Sequence, residues 1–469
     1  MEIKPHRHDL KMEKKSFWLS VAFLFLVMIA AFILTMVVPG GVYTKIDDGN
    51  GNQVIDTAAG FTPVQGGIPF WKWLLSPILV LTGSGAGTLI PIILFLLLLG
   101  GIFSVLIAQG ILSHMLGKLV RRFTTVRYQL MAVMILFFMA LGAFIGSFEE
   151  VIPLVPIVVS LAVCLGWDIQ TGVAISLLAV GCGFASGVAN PFTVGVAQTL
   201  AGLPVFSGIW FRLLCFAIIY VILLGFILLR ARRADKTDPV QFPDQEDQND
   251  PKMDRAVRYF SILMGIGILI IVVSGFVPVL SDYTLILLML TFLGAGISSS
   301  LISGMDPQEL GRVFLKGAID ILPTIVLILM ASSIRYIMEE GRILDSCLHL
   351  ALEAADGMSR PAVILFIYLI CMATNFFVPS GSAEALLLIP IIVPLAGAFG
   401  ISAQLCIVAF AFGDGFSNIL YPTNPALMVA LGLADCGYGK WIRYSLPFQL
   451  LNLVLTCGLL LLGLAVGYA

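Results

Sequence analysis

Two stretches of the chain match each other over their whole length: residues 150–191 read EVIPLVPIVVSLAVCLGWDIQTGVAISLLAVGCGFASGVANP, and residues 384–425 read EALLLIPIIVPLAGAFGISAQLCIVAFAFGDGFSNILYPTNP. Without a gap, Glu150 pairs with Glu384, Asn190 with Asn424, and each Asn is followed by Pro. Apolar composition explains matches among Ile, Val and Leu, but it does not explain matched Glu and Asn-Pro. The pattern therefore predicts an internal structural repeat.

The composition around this repeat indicates a membrane protein. Of 469 residues, 59% are hydrophobic and 12% are charged, and the mean hydropathy is +1.03. Soluble proteins carry about 25% charged residues. The composition excludes a soluble enzyme and a secreted module, and the net charge of −2 excludes a basic face for nucleic acid. The scattered cysteines contain no C-x-x-C pair, so no metal site is predicted.

Runs of roughly 20 apolar residues predict membrane-spanning helices. They cover residues 17–38, 87–108, 207–229, 259–280, 283–303, 319–338 and 445–467. Residues 128–202 and 361–433 are also apolar, but Gly, Pro, Asn, Ser and acidic residues interrupt them. These two interrupted stretches contain the two copies of the repeat.

Basic residues predict the orientation of the spans, because Lys and Arg concentrate on the cytoplasmic side. The basic clusters lie in residues 1–15, 118–127 and 230–258, whereas the loop 42–72 is acidic and is expected outside. All three clusters are cytoplasmic only if residues 128–166 enter and leave the membrane on the same side. These residues are therefore expected to form a re-entrant hairpin.

The span at 259–280 has no partner in the first half of the chain. This extra crossing inverts the second repeat, so its hairpin, residues 361–399, is expected to enter from outside. The sequence thus predicts an all-α, multi-pass protein of the cytoplasmic (inner) membrane, with a cytoplasmic N-terminus and an external C-terminus. It has about nine transmembrane helices and two re-entrant helical hairpins. Inverted repeats with interrupted helices are typical of transporters.

The polar interruptions are the candidate functional positions. The hairpins turn at residues 146–150 (GSFEE) and 379–384 (PSGSAE), and Asn-Pro breaks a following helix within residues 186–193 and 414–425. Polar groups at membrane depth are functional by default. Freed carbonyls with Asn, Ser and Thr oxygens suit Na⁺, whereas half-helix N-termini favour anionic groups.

The charges in these tips and breaks favour a cationic or zwitterionic ligand. Glu149, Glu150, Glu384 and Asp414 are acidic and are expected to line one cavity, while the tips and breaks contain no Lys or Arg. An anionic substrate would need Na⁺ or H⁺ to neutralise these carboxylates. Arg212 and Arg443 stand at helix ends, where they are expected to extend to the membrane interface.

The segments SFEEVIPLVPI (147–157) and NILYPTNPALMVALGLA (418–434) resemble the YfcC-type branch of the C4-dicarboxylate anaerobic carrier family, in the ion transporter superfamily. The resemblance covers nearly the whole chain after residue 15. The superfamily's Ser-Asn-Thr tip motif, which holds carboxylates in the relatives, is absent: Phe148-Glu149 follows Ser147, and Ser380-Gly381-Ser382 stands in the other tip. Some YfcC-like members are assigned to basic amino acids, which agrees with the acidic tips.

The resemblance implies a homodimer in the lipid bilayer that works by an elevator mechanism. The expected domains are a cytoplasmic head (1–15), scaffold helices of repeat 1 (16–127), a transport unit of repeat 1 (128–230), a cytoplasmic linker (231–258), scaffold helices of repeat 2 (259–338) and a transport unit of repeat 2 (361–469). No cofactor is expected, and Na⁺ or H⁺ is the candidate coupling ion.

The sequence predicts a secondary active transporter of small charged organic metabolites, favouring basic amino acids in an arginine/ornithine type of exchange. The alternatives are an Na⁺- or H⁺-coupled C4-dicarboxylate transporter, an ion channel and a membrane-embedded enzyme, for which no nucleophile–base pair is visible. Candidate substrate-binding residues are Ser147, Glu149, Glu150, Asn190, Ser380, Ser382, Glu384, Thr423 and Asn424. Candidate ion-binding residues are Asn190, Asp414, Ser417, Asn418 and Asn424.

Overall fold

The computed structural model of the chain describes residues 14–47, 53–55, 60–83, 86–146, 148–204, 206–234, 250–274, 283–353 and 357–468. Several predictions fall wholly or partly outside these residues. They concern Ser147, residues 1–13 of the cytoplasmic head, residues 235–249 of the cytoplasmic linker, residues 275–280 of the span 259–280, and residues 48–52 and 56–59 of the loop expected outside.

Helices dominate the described residues, which confirms the prediction of a helical protein. The α-helices are α1 (Lys14–Val37), α2 (Phe70–Leu74), α3 (Ser76–Leu79), α4 (Ala86–Ala108), α5 (Ile111–Phe123), α6 (Arg127–Ala140), α7 (Val155–Cys164), α8 (Ile169–Val173), α9 (Ala179–Ser186), α10 (Val196–Leu200), α11 (Ile209–Ala234), α12 (Pro251–Ser274), α13 (Thr284–Ile302), α14 (Pro307–Asp320), α15 (Leu322–Glu340), α16 (Leu344–Glu353), α17 (Arg360–Asn375), α18 (Gly381–Ala398), α19 (Ala403–Asn418), α20 (Pro425–Leu433) and α21 (Tyr438–Ala465). Further helical turns are the 3-10 segments Val80–Thr82, Thr124–Val126 and Glu149–Leu154 and the π-helical segments Leu141–Ile145, Ala174–Leu178 and Pro191–Gly195.

A small antiparallel ribbon follows α1. Its strands are β1 (Gly41–Tyr43), β2 (Lys45–Asp47), β3 (Gln53–Ile55) and β4 (Phe61–Pro63), with β1 paired to β4 and β2 to β3. The main-chain N–H of Tyr43 donates to Asp345 Oδ2 over 3.0 Å, and the Tyr43 hydroxyl lies 3.1 Å from His349 Nδ1. The loop that the sequence predicts to face outward is thereby docked on α16.

Seven helical stretches among the described residues are long and apolar enough to cross a membrane. They are Leu89–Ala108, Arg127–Ile145, Ile169–Leu200, Ile209–Arg233, Pro307–Glu340, Gly381–Ala398 and Tyr438–Ala465, and shorter apolar helices are Val21–Val37, Met289–Ile302 and Arg360–Asn375. The chain is therefore a multi-pass membrane protein. The count of nine crossings and the re-entrant path of the hairpins stay predictions.

Each predicted hairpin has its two outer ends tied together by an arginine. In the first hairpin, α6 and α7, Arg127 Nη1 donates to the carbonyl oxygen of Leu165 over 3.0 Å. In the second hairpin, α17 and α18, Arg360 Nη2 donates to the carbonyl oxygen of Gly400. The start of each first arm and the end of each second arm therefore lie side by side.

The helix that follows each hairpin is interrupted, and the two interrupted helices pack against each other. The first consists of α8, α9 and α10, and the second consists of α19 and α20; α9 packs along α19. At the crossing, a Cβ atom on Gly415 would overlap the backbone of Ala185. The close approach therefore requires glycine at position 415.

A second group of helices surrounds this centre. Helix α4 packs on α13 and α14, and α15 packs on α1 and α3. Helix α15 also contacts α20, which belongs to the second interrupted helix. Helix α15 thus lies at the boundary between the two groups, with one side available to the hairpin tips.

Candidate functional site

The first break interrupts the helix where the sequence predicts it. Helix α9 ends at Ser186, Gly187 adopts a left-handed conformation (φ 53°), and the helix restarts at Pro191. Asn190 caps the restart, because its Oδ1 accepts hydrogen bonds from the main-chain N–H groups of Phe192 (2.9 Å) and Thr193 (3.3 Å). Its Nδ2 is buried and has no partner among the described residues.

The second break repeats this arrangement. Helix α19 ends at Asn418, and α20 begins at Pro425, one residue after Asn424. Asn424 Oδ1 accepts from the N–H groups of Ala426 (2.8 Å) and Leu427 (3.3 Å). The prediction that Asn-Pro interrupts both helices is therefore confirmed.

Each break leaves main-chain carbonyl oxygens without helical hydrogen-bond partners. Side chains of the next helix, α11 after the first break and α21 after the second, donate hydrogen bonds to some of these oxygens. Arg212 Nε donates to the oxygen of Val188 over 3.2 Å, and Trp441 Nε1 donates to that of Ile419 over 2.9 Å. The Tyr438 hydroxyl donates to the oxygen of Leu420 over 2.9 Å. These three oxygens have protein partners, so an ion at the breaks must rely on other ligands.

The prediction that Arg212 extends to the membrane interface is wrong. Arg212 is fully buried, and its guanidinium also donates to the oxygen of Ser207 (2.9 Å), the hydroxyl of Tyr468 (3.2 Å) and Gln404 Oε1 (3.4 Å). The freed carbonyl at the first break needs a donor, and a guanidinium supplies five in a planar fork. Arg443, by contrast, is exposed.

Asp414 is the centre of a buried hydrogen-bond network. Its Oδ1 accepts from Asn375 Nδ2 (2.6 Å) and Asn418 Nδ2 (2.9 Å), and Asn424 Nδ2 donates to Asn418 Oδ1 (2.7 Å). All four side chains are buried, and Asp414 Oδ2 has no partner among the described residues. The network connects the second break to α17.

Glu384 lies beside this network, in the first turn of α18. It is fully buried, neither carboxylate oxygen has a hydrogen-bond partner among the described residues, and it interacts electrostatically with Asp414. An acidic pair that is buried and short of donors can bind a cation, either a proton or a metal ion. The Ser417 hydroxyl donates its hydrogen to the oxygen of Gly413 over 2.6 Å, which leaves the lone pairs of its own oxygen available to a cation.

Both hairpin tips lie against the breaks. Gly146 has φ 78° and lies so close to Asn190 and Phe192 that a Cβ atom would overlap both side chains. At the second tip, a Cβ on Gly381 would overlap Thr193 of the first break, and Asp414 Oδ2 would be 2.6 Å from it. The second tip therefore touches both repeats.

A partly open cavity lies between the tips and α15. Three predicted substrate-binding residues line it: Glu149 from the first tip, Ser380 from the second tip and Thr423 from the second break. Helix α15 forms the opposite wall. The structure therefore brings both tips and one break to a common space.

The remaining predicted residues lie away from this wall. Asn190, Glu384, Asp414, Ser417, Asn418 and Asn424 are buried, whereas Glu150 and Ser382 are partly buried. Of the four acidic residues expected in one cavity, only Glu149 lines the cavity formed by the described residues. Glu384 in α18 and Asp414 in α19 are fully buried and do not line the cavity, although Asp414 interacts electrostatically with Glu149.

Residues that the sequence interpretation missed complete the site. Ser332, Arg335, Tyr336 and Glu339 of α15 line the cavity, and Arg335 Nε donates to Glu339 Oε1 over 2.7 Å. An arginine within a spanning helix is itself a functional signal, and Arg335 lies inside the predicted span 319–338. Asn375 was also missed, although it is a polar residue in an otherwise apolar hairpin arm.

Paired helix breaks, and hairpin tips that meet one of them at a common cavity in a multi-pass membrane protein, are features of a transporter. The chain belongs to the C4-dicarboxylate anaerobic carrier (DcuC) family, whose model matches residues 17–465.

Two relatives align over most of the chain. It is 28% identical over 407 residues to the "Putative basic amino acid antiporter YfcC" of Escherichia coli (strain K12), an alignment that covers 82% of this chain and 80% of that protein. It is 23% identical over 515 aligned positions to an uncharacterised protein of Haemophilus influenzae, covering 98% of this chain and 99% of the relative. The resemblance to the YfcC type is therefore confirmed.

Two solved transporter structures superpose loosely on the chain. The YdaH transporter of Alcanivorax borkumensis has a TM-score of 0.43 and 18% identity over 99% of each chain. MtrF of Neisseria gonorrhoeae, described with a class of antimetabolite efflux pumps, has a TM-score of 0.42 and 17% identity over 94% of each chain.

Proposed function

We propose that this transporter moves basic amino acids across the cytoplasmic membrane, exchanging one for another. The observation that carries the proposal is the charge of the cavity wall. Arg335 and Glu339 form an ion pair whose two charges neutralise each other. The negative charge of Glu149 is therefore left as the net charge of the described cavity wall. In a partly desolvated cavity, that charge attracts a cationic ligand.

Ser380 and Thr423 supply neutral hydrogen-bonding groups at the same wall. The Thr423 hydroxyl is buried and has no partner among the described residues, so it is available to a ligand. An amino acid presents an ammonium group, a carboxylate and a side chain, which these groups can orient. The name of the YfcC relative agrees with this substrate class.

The buried network behind the second tip is the proposed ion site. Asp414 Oδ2 and both oxygens of Glu384 lack donors among the described residues, and Asn375 Oδ1 is buried without a partner beside them. Carboxylate and amide oxygens bind Na⁺, and the same carboxylates bind H⁺. A cation at this position would neutralise the pair while the substrate occupies the cavity.

The proposed movement is an elevator. Hairpins and interrupted helices, residues 128–230 and 361–469, form the moving unit, and residues 16–127 and 259–338 form the scaffold of each subunit of a homodimer. In support, the arginine contacts hold the outer ends of each hairpin together, and the tips pack on the breaks. The cavity lies between the two groups, where sliding would change the side to which it opens.

A C4-dicarboxylate is the second candidate, favoured by the description of the matching family. Two carboxylates would add negative charge beside Glu149. Transport of such a substrate would therefore depend on Na⁺ or H⁺ bound near Glu384 and Asp414.

Counterflow in proteoliposomes separates the two candidates. Vesicles preloaded with unlabelled arginine should accumulate labelled arginine or ornithine faster than empty vesicles do. Preloading with succinate should give no acceleration. Accelerated uptake of labelled succinate, dependent on an Na⁺ or H⁺ gradient and unaffected by internal arginine, would contradict the basic amino-acid proposal.

A further inference from the structure

Among the described residues that line the cavity, Arg335 is the one with a positive charge, and it belongs to the proposed scaffold. It lies in the last two turns of α15 and lines the same cavity as Glu149 and Ser380. Its side chain is 27% exposed, so it is partly desolvated but still accessible to a solute. Glu149 of the proposed transport unit lies on one side of the cavity, and the Arg335–Glu339 ion pair of the proposed scaffold lies on the other.

The geometry of the ion pair leaves guanidinium donors for a ligand. Glu339 is four residues further along α15 and accepts from Nε over 2.7 Å. A guanidinium has four more N–H donors on its two terminal nitrogens, in a fork that matches a carboxylate. The hydrogen bond to Glu339 therefore orients the Arg335 guanidinium and leaves its other N–H donors available to a ligand.

We propose that Arg335 binds the α-carboxylate of the substrate and thereby selects amino acids over the amines that lack this group. The inference rests on the proposed function and specifies how the substrate is recognised. Glu149 binds the cationic end while Arg335 binds the anionic end. A basic amino acid has one net positive charge, which complements the excess negative charge of the wall.

The position of Arg335 adds a directional consequence. Because α15 belongs to the scaffold, the substrate contacts Arg335 only while the tips lie level with the end of α15. The topology predicted from the basic clusters places that end of α15 on the external side. Arg335 should therefore govern external affinity and leave internal affinity unaffected.

The test measures binding of arginine and of agmatine, which is arginine without its carboxylate, to purified protein. We expect wild type to prefer arginine, and Arg335→Gln to lower arginine affinity roughly ten- to hundredfold while agmatine affinity stays within about twofold. Arg335→Lys should recover part of the preference. Arg312→Gln, which removes an exposed charge on α14, is the matched control and should behave as wild type.

A transport assay tests the direction. In oriented vesicles, Arg335→Gln should raise KM for arginine offered from outside and leave KM from inside unchanged. If arginine binds wild type but both ligands weaken equally in Arg335→Gln, or neither weakens, this inference is overturned and the proposed function stands. If wild type binds no basic amino acid, both are overturned.

Discussion

Arg127 joins the two ends of the first hairpin by donating a hydrogen bond from Nη1 to the carbonyl oxygen of Leu165, 3.0 Å away. Arg360 makes the corresponding contact with Gly400 in the second hairpin. Residues bonded in this way lie at the same membrane depth. Each hairpin should therefore enter and leave the membrane on one side, and the predicted inversion of the second repeat would put these sides opposite each other.

This topology is tested by cysteine labelling at the two hairpin entrances. Thr125→Cys and Ser359→Cys introduce thiols at exposed positions just before α6 and α17. An impermeant thiol reagent should label position 359 in intact cells and position 125 only after the membrane is opened. The parent protein, with its eight free cysteines, sets the background. Labelling of both positions from the same side would exclude the inverted topology.

The buried carboxylate of Asp414 should matter more for transport than for folding. Asp414→Asn keeps the size and removes the charge, so transport should fall at least about tenfold. The melting temperature should stay the same or rise, because an unpaired buried charge is costly. Asp306→Asn, at the exposed N-cap of α14, is the control and should transport normally. Normal transport by Asp414→Asn would show that the ion site lies elsewhere.

Asn190 has a capping oxygen and a buried amide nitrogen without a described partner, and two substitutions separate their roles. Asn190→Ala should lose about 1 kcal/mol of stability through loss of the cap. Asn190→Ser keeps a capping oxygen, so its stability should approach that of wild type while transport still falls. Uptake and thermal unfolding of both variants provide the measurement. Full activity in Asn190→Ser would make Asn190 a purely structural residue.

Arg212 should be required for folding. Replacing it with Gln removes the donor to the carbonyl oxygen of Val188 inside the protein, whereas Gln404 Oε1 still accepts from Gln198 Nε2 over 3.0 Å. The expected loss is about 2–4 kcal/mol, seen as a lower melting temperature and a lower yield in detergent. Arg443→Gln removes an exposed charge and should change neither. Equal stability of the two variants would contradict the buried role of Arg212.

Local chemistry explains which features the sequence could predict. Asn-Pro interrupts a helix through its own backbone, so both breaks were predicted at the correct residues. The polar tips were found for a similar reason, because Gly, Ser and Glu stand out in apolar arms. The coarse fold followed from composition, since roughly 20 apolar residues in a row have few alternatives to a spanning helix.

Which residues line the site depends on contacts between segments that are distant in the sequence. Local sequence patterns do not reveal these contacts. Glu384 and Glu149 occupy similar tips, yet α18 directs Glu384 into the protein while Glu149 faces the cavity. Arg335 was not singled out from the sequence, and only the packing of α15 shows that Arg335 lines the same cavity as Glu149. The same limitation made Arg212 look peripheral.

The most direct test of the account is calorimetric binding of arginine and succinate to purified wild type and Glu149→Gln. Glu149→Gln keeps the shape of the cavity wall and removes its excess negative charge. The account predicts that wild type binds arginine well above succinate and that the variant loses roughly ten- to hundredfold in arginine affinity, about 1.4 kcal/mol for each tenfold. Unchanged arginine affinity in the variant, or tighter binding of succinate than of arginine by wild type, would contradict it.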